Sequence, residues 1–306
     1  MMPKGEEMMK WACLLFFIMT LMLTRTTYAS SGHYVSGGEG IKAATLPTKG
    51  FYVREYSTYY TAPDQRNKNG KIINNDFRLN VFCQATRLIY SSDISVFGGN
   101  LLFDTVIPLV YTENSYKTEQ SSPRVNDSMF GLGDIMLEPF VLSWHGDWYD
   151  AVVATGLYIP TGYYSQNNVA SPGKGFFTVM FTAGATVYFD TEKTWSASIL
   201  SRYEVNTEQN ETNITNGNDF HFEWGIGKTI NKITTIGAAG YCSWQTTDDT
   251  GSYATKDRTE AYAIGPEVDF AIPDYDASVA MRFLKEFSNK NNSQGSLCAL
   301  TLTKKF

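Results

Sequence analysis

The sequence is short of the residues on which most enzyme and cofactor sites are built. Three histidines and four scattered cysteines occur in 306 residues. There is no Cys-x-x-Cys pair, no His-Glu-x-x-His and no Gly-rich phosphate loop, so little is left to hold a metal and no cofactor is expected. Positive charge is scarce too. Against 31 Asp and Glu stand 25 Lys and Arg, a formal net charge of −6, and the basic residues never cluster as phosphate binding requires. Nucleic acid is therefore excluded as a partner. Long apolar runs are also missing after residue 23, where no stretch approaches the roughly 20 residues of a membrane-crossing helix.

The one apolar run lies at the start. Lys4 and Lys10 precede an uncharged stretch from Trp11 to Leu23, and Thr27-Tyr28-Ala29 ends in small residues suited to cleavage. That order predicts a secretory signal peptide over residues 1–29, the run being too short for a membrane anchor. The mature chain is then exported and acidic, with a short periplasmic N-terminal segment over residues 30–49.

The rest of the chain alternates. Phe177, Val179, Phe181, Ala183, Ala185, Val187 and Phe189 take one side, with Thr178, Thr182, Gly184 and Thr186 on the other. Such a period of two marks a strand with one apolar face. The same pattern recurs from Trp195, Phe220, Tyr262 and Ala277. From Phe77 it puts Leu79, Val81, Cys83 and Ala85 on the apolar side and Arg78, Gln84 and Thr86 on the polar side. Near Phe51 the charges Arg54 and Glu55 are adjacent, so one of them must snorkel or face a loop.

Twelve strands are predicted, beginning near Phe51, Asp76, Gly99, Gly131, Trp148, Phe176, Thr194, Asp219, Ile233, Thr259, Tyr275 and Gly295. A soluble sandwich would alternate as well, but its loops would not sort by parity. Here the odd-to-even connections are long and polar, at 61–75, 112–129, 161–175, 207–218, 247–258 and 288–294. The even-to-odd ones are mostly tight, residues 91–98 being the longest. That is the signature of an all-β, up-and-down antiparallel transmembrane barrel in a bacterial outer membrane, over residues 50–306. Closure is what lets a sheet sit in lipid, because it leaves no unpaired backbone edge. Trp144, Trp148 and Trp195 gather at tight turns, where an aromatic girdle belongs. The terminal Phe306 shares the apolar register of Cys298, Leu300 and Leu302, the form of C-terminus read by barrel assembly machinery.

Several segments resemble the phenol meta-pathway degradation family: Gly131-Leu132-Gly133-Asp134 running on to Glu138-Pro139 and Trp144, then Gly156 to Tyr163, then Arg202-Tyr203-Glu204-Val205-Asn206 with Gly217. The resemblance covers most of the mature chain. It implies an outer-membrane barrel associated with uptake of aromatic or hydrophobic compounds. More distantly the chain is similar to fatty-acid and hydrocarbon transporters, which carry an N-terminal plug. Residues 30–49 offer only a short stretch for one.

Twelve strands give a lumen between the side-chain-filled eight-strand barrel and the open sixteen-strand pore, so a narrow polar lumen is expected. The alternation assigns Arg78, Asp134, Glu138, Arg202, Glu204, His221, Glu223, Glu267, Asp269, Arg282 and Glu286 to it. The acidic excess favours cations or neutral solutes if the lumen is open, whereas paired charges would plug it. His221, with Ser196 and Ser198 on neighbouring strands, raises the question of a lipid-active barrel enzyme, but no phospholipase motif surrounds it and no catalytic residue is assigned. Cys83, Cys242 and Cys298 are expected as free, lipid-facing thiols. The leading reading is a porin-like channel or passive transporter for small hydrophobic or neutral solutes. The alternative is a closed structural or adhesive barrel whose outer loops bind a partner.

Overall fold

The computed structural model describes residues 32–73, 76–117, 124–252 and 254–306, so the predicted signal peptide lies outside the described residues. Twelve strands run up and down: β1 (Gly50–Gln65), β2 (Arg78–Val96), β3 (Gly99–Tyr116), β4 in two parts (Val125–Leu132 and Ile135–His145), β5 (Tyr149–Ile159) and β6 (Thr178–Tyr188). They continue as β7 (Trp195–Asn206), β8 (Asp219–Ile230), β9 (Thr234–Gln245), β10 (Glu260–Ile272), β11 (Ala277–Lys290) and β12 (Ser293–Lys305). Each pairs antiparallel with its sequence neighbours, and β1 pairs with β12 to close the ring. A small ribbon, Ile214–Thr215 against Thr250–Gly251, joins two of the long loops.

The barrel is the predicted one, with several connections shorter than expected, two of them reduced to a pair of residues. β2 and β3 meet through Phe97 and Gly98 alone, at φ 51° and 76°. β11 and β12 meet through Asn291 and Asn292. Both segments read as loops because polar residues fill them, but the strand ladders simply run past the apolar band into water. Pro139 sits at a bulge, where the pairing of β4 with β5 shifts between Leu137 and Phe140. A residue without an N–H can occupy a bulge without breaking a ladder bond.

Exposed large apolar side chains cover the outside, among them Phe181, Ile199, Ile226, Ile264, Phe283 and Leu300. Trp148, Phe189, Trp195, Tyr275 and Phe306 ring the end that carries the tight turns. At the opposite end Phe220, Trp244, Tyr262 and Phe287 form a continuous aromatic row, Trp244 parallel to Phe220 at 6.1 Å and edge-on to Tyr262. An apolar band between two aromatic belts is the surface a bilayer selects.

In β2 the predicted sides are reversed. Ala85, Arg87 and Ile89 are buried inside, while Phe82 and Tyr90 are exposed outside. Arg78 therefore stands exposed on the outer register, not in the lumen, and Cys83 faces inward instead of toward lipid. The physical reason lies in what β2 packs against. Ile89 joins Tyr52, Leu102, Val141, Val152 and Leu200 in an inner cluster around Ala43, Ala44 and Leu46, so the inner wall there is apolar.

Candidate transport lumen

The lumen is filled by the chain's own N-terminal segment. Residues 32–49, which the sequence suggested as a periplasmic stretch, run inside the barrel before entering β1, with His33, Ile41, Ala43, Ala44 and Leu46 buried. Small residues on the wall make room. A Cβ added at Gly225 of β8 would come within 2.7 Å of the Ile41 Cα and 2.8 Å of the Gly40 carbonyl oxygen, so backbone lies directly on backbone.

Wall carboxylates hold the segment through its amides. Glu204 Oε1 accepts the N–H groups of His33 (3.2 Å) and Tyr34 (2.9 Å). Glu223 Oε1 accepts those of Gly37 (2.6 Å) and Glu39 (3.0 Å), and Glu267 Oε2 accepts that of Ile41 (3.1 Å). The segment's amides thus find partners where neither strand nor helix supplies them, which a buried backbone requires.

Cations and rings complete the set. Arg202 donates to Glu223 at 2.8 Å with its guanidinium 3.9 Å from the Tyr34 ring centre, and Tyr34 stacks on His221 at 4.8 Å. Arg282 donates to Glu267 and to the carbonyls of Gly37 and Gly38. Arg54 and Arg87 both reach the segment's own Glu39, which also takes the Tyr56 hydroxyl at 2.7 Å. Arg87 meanwhile grips Asp104 in a fork at 2.7 and 3.0 Å and Glu138 at 2.7 Å. Burying so many charges is tolerable only because each has a geometrically matched partner.

A second contact reaches the outer mouth. The strand break at Gly133 and Asp134 splits β4, and the Asp134 carboxylate takes the N–H of Gly162 (2.9 Å), the N–H of Lys174 (2.7 Å) and His33 Nε2 (2.9 Å). Loop 160–177 and the N-terminal segment therefore share one carboxylate. Lys174 also donates its Nζ to the Gly32 carbonyl.

Of the sequence-predicted lumen residues, Asp134, Glu138, Arg202, Glu204, His221, Glu223, Glu267 and Arg282 all face this segment or its partners. Glu286 lies further along, hydrogen-bonded by Tyr60 and Tyr241, and Asp269 is half-buried on the inner register. The network also contains Arg54, Arg87 and Asp104, which period-two reading did not assign because their strands carry apolar residues inward. Neither Ser196 nor Ser198 hydrogen-bonds His221, and Ser198 is engaged by Ala43 and Gly40.

Residues 62–302 match the family described as "Putative MetA-pathway of phenol degradation". The chain belongs to this family. The segments whose sequence resembles the family carry anchors of the lumen: Asp134 and Glu138 in one, Arg202 and Glu204 in another. No curated protein sequence matches the chain. Among solved structures it is similar to the COG4313 outer membrane channel of Pseudomonas putida F1, at 14% identity over 90% of this chain and 100% of that one, with a TM-score of 0.74. The β domain of the Bordetella autotransporter BrkA overlays at 11% identity over 85% and 100%, TM-score 0.50. The CymD monoaromatic hydrocarbon channel gives 12% identity over 85% and 89%, TM-score 0.44. The fold is that of a bacterial outer-membrane barrel, and the apolar band fixes where this member of the phenol-degradation family resides.

Proposed function

We propose that this barrel is an outer-membrane channel for small hydrophobic or aromatic compounds, held shut by residues 32–49 and opened when they move. The observation that carries the reading is the way the segment is held. Its bonds to the wall are non-covalent, run largely through its amides, and leave behind a charged inner surface once it departs. A permanent seal needs no separate backbone segment held by its amides, since side chains alone fill small barrels. Membership of a family described by phenol degradation supports the solute class, and likeness to an outer membrane channel of Pseudomonas supports conduction. Neither ring nitrogen of His221 has a hydrogen-bond partner among the described residues, so no Ser, Thr or Cys nucleophile is paired with it, which supports transport over catalysis.

The test compares the mature protein with a variant lacking residues 30–47 in planar bilayers and in liposome swelling. The intact barrel should be quiet with rare openings. The shortened one should conduct steadily and admit neutral aromatic solutes. Equal silence from both would support instead a closed barrel whose outer loops bind a partner, the reading favoured by the density of the Asp134 and Arg87 contacts.

A further inference from the structure

The outer face of β1 and β2 carries a polar block inside the apolar band. Glu55, Ser57, Gln84 and Thr86 lie on the outward register, Glu55 opposite Thr86 and Ser57 opposite Gln84. On the other side of β1 their neighbours are Leu302 and Leu300. The four are bonded to one another. Gln84 Nε2 donates to Glu55 at 2.7 Å, the Thr86 hydroxyl donates to Glu55 at 2.8 Å, and the Ser57 hydroxyl donates to Gln84 Oε1 at 2.5 Å. Among the described residues Glu55 has no cationic partner.

Depth makes this block costly. Phe51 and Phe306 pack at the inner rim, 6.1 Å apart, and Glu55 stands four positions further along β1. At about 3.3 Å per residue and the usual strand tilt, that is roughly 10 Å into an apolar band about 25 Å tall. Polar groups exposed to hydrocarbon at such a depth mark function by default. Neither water nor a lipid headgroup sits there, so the surface that can meet them is another protein wall at the same height.

We propose that this face pairs two copies of the chain side by side in the membrane. A two-fold axis along the membrane normal sets the same patch on both copies face to face. Because Glu55 lies directly across from Thr86 and Ser57 across from Gln84 on adjacent strands, that rotation brings the Glu55 carboxylate of each copy to the Thr86 hydroxyl of the other, with the Gln84 amide two positions along. The block carries acceptors and donors together, so bonds made within one copy can be exchanged for the same bonds across the axis, and the face complements itself. Apolar neighbours such as Phe82 and Leu302 form a rim that keeps the bonds dry.

Sedimentation equilibrium of the mature protein in density-matched micelles tests this, with heat-modifiable gel migration reporting that each barrel is folded. The wild type should run at twice the barrel mass. The triple variant Glu55→Leu, Gln84→Leu, Thr86→Val should dissociate more easily by on the order of 100-fold, given the modest strength of each hydrogen bond between protein walls in lipid. Thr86→Trp, a bulky change on a lipid-facing site, should also give single barrels if the triple variant fails to fold. A wild type at single-barrel mass, or a dimer unmoved by either variant, overturns the proposal. So does a monomer that copurifies with phospholipid lost in the triple variant, which would make lipid the occupant.

Discussion

His33 Nε2 lies 2.9 Å from the Asp134 carboxylate, which at the same time accepts the N–H groups of Gly162 and Lys174. One side chain thereby links the segment inside the lumen to a loop at its outer mouth. Asp134→Ala should loosen both. Charge-assisted hydrogen bonds are worth about 1.5–3 kcal/mol each, so channel openings should become at least ~10-fold more frequent in planar bilayers. Added protease should also cut loop 160–177 faster. A variant with faster cleavage and unchanged openings would show that the loop and the segment act separately.

Seating the segment requires a bare strip on β8. Gly225→Val puts a side chain where the backbone of Gly40 and Ile41 lies, and backbone cannot shift as a flexible side chain can. Conductance should rise toward that of the shortened protein. The barrel's resistance to heat in gel migration should stay close to wild type, since a β-branched residue suits the strand itself.

Arg87 joins Glu39, Asp104 and Glu138. Arg87→Met leaves three buried carboxylates to face one another, with Arg54 the remaining direct ion-pair partner of Glu39 among the described residues. Removing one partner of a buried ion pair typically costs about 3–5 kcal/mol, a loss that urea unfolding in micelles should register. Adding Glu138→Gln to that variant should restore part of it. If the single change is neutral, the carboxylates are not held as charges by this arginine.

The reversal of β2 can be read with thiol reagents. Cys298 is exposed on the outer register, while Cys83 faces inward. A membrane-soluble maleimide should label Cys298 in vesicles several-fold faster than Cys83. Equal labelling would return Cys83 to the lipid side.

Much of this architecture was legible in the chain. Strand starts near Thr194, Asp219 and Tyr275 fell within two residues of β7, β8 and β11, because tight turns and strict alternation leave little freedom there. The lumenal charges of β7, β8, β10 and β11 were legible for the same reason: against Ile199, Trp224, Val268 or Phe283 a charged neighbour has nowhere to go but inward. β2 misled because its inner face is as apolar as its outer one is polar. Ala85 and Ile89 line the inner wall beside Ala43 and Leu46, and alternation reports contrast between faces, not which face meets lipid. That residues 32–49 fill the lumen had no periodic signal to give it away. The adjacent Arg54 and Glu55 did announce a conflict, and each resolved it differently: Arg54 turned to Glu39, Glu55 to Gln84 and Thr86.

The seam of the ring joins opposite ends of the polypeptide, Tyr52 standing across from Lys305. A chain truncated before its last thirteen-residue strand would keep an open edge, and contacts so distant along the polymer are the slowest to form. Closure must therefore wait until β12 has been made, and only then is the wall around residues 32–49 complete.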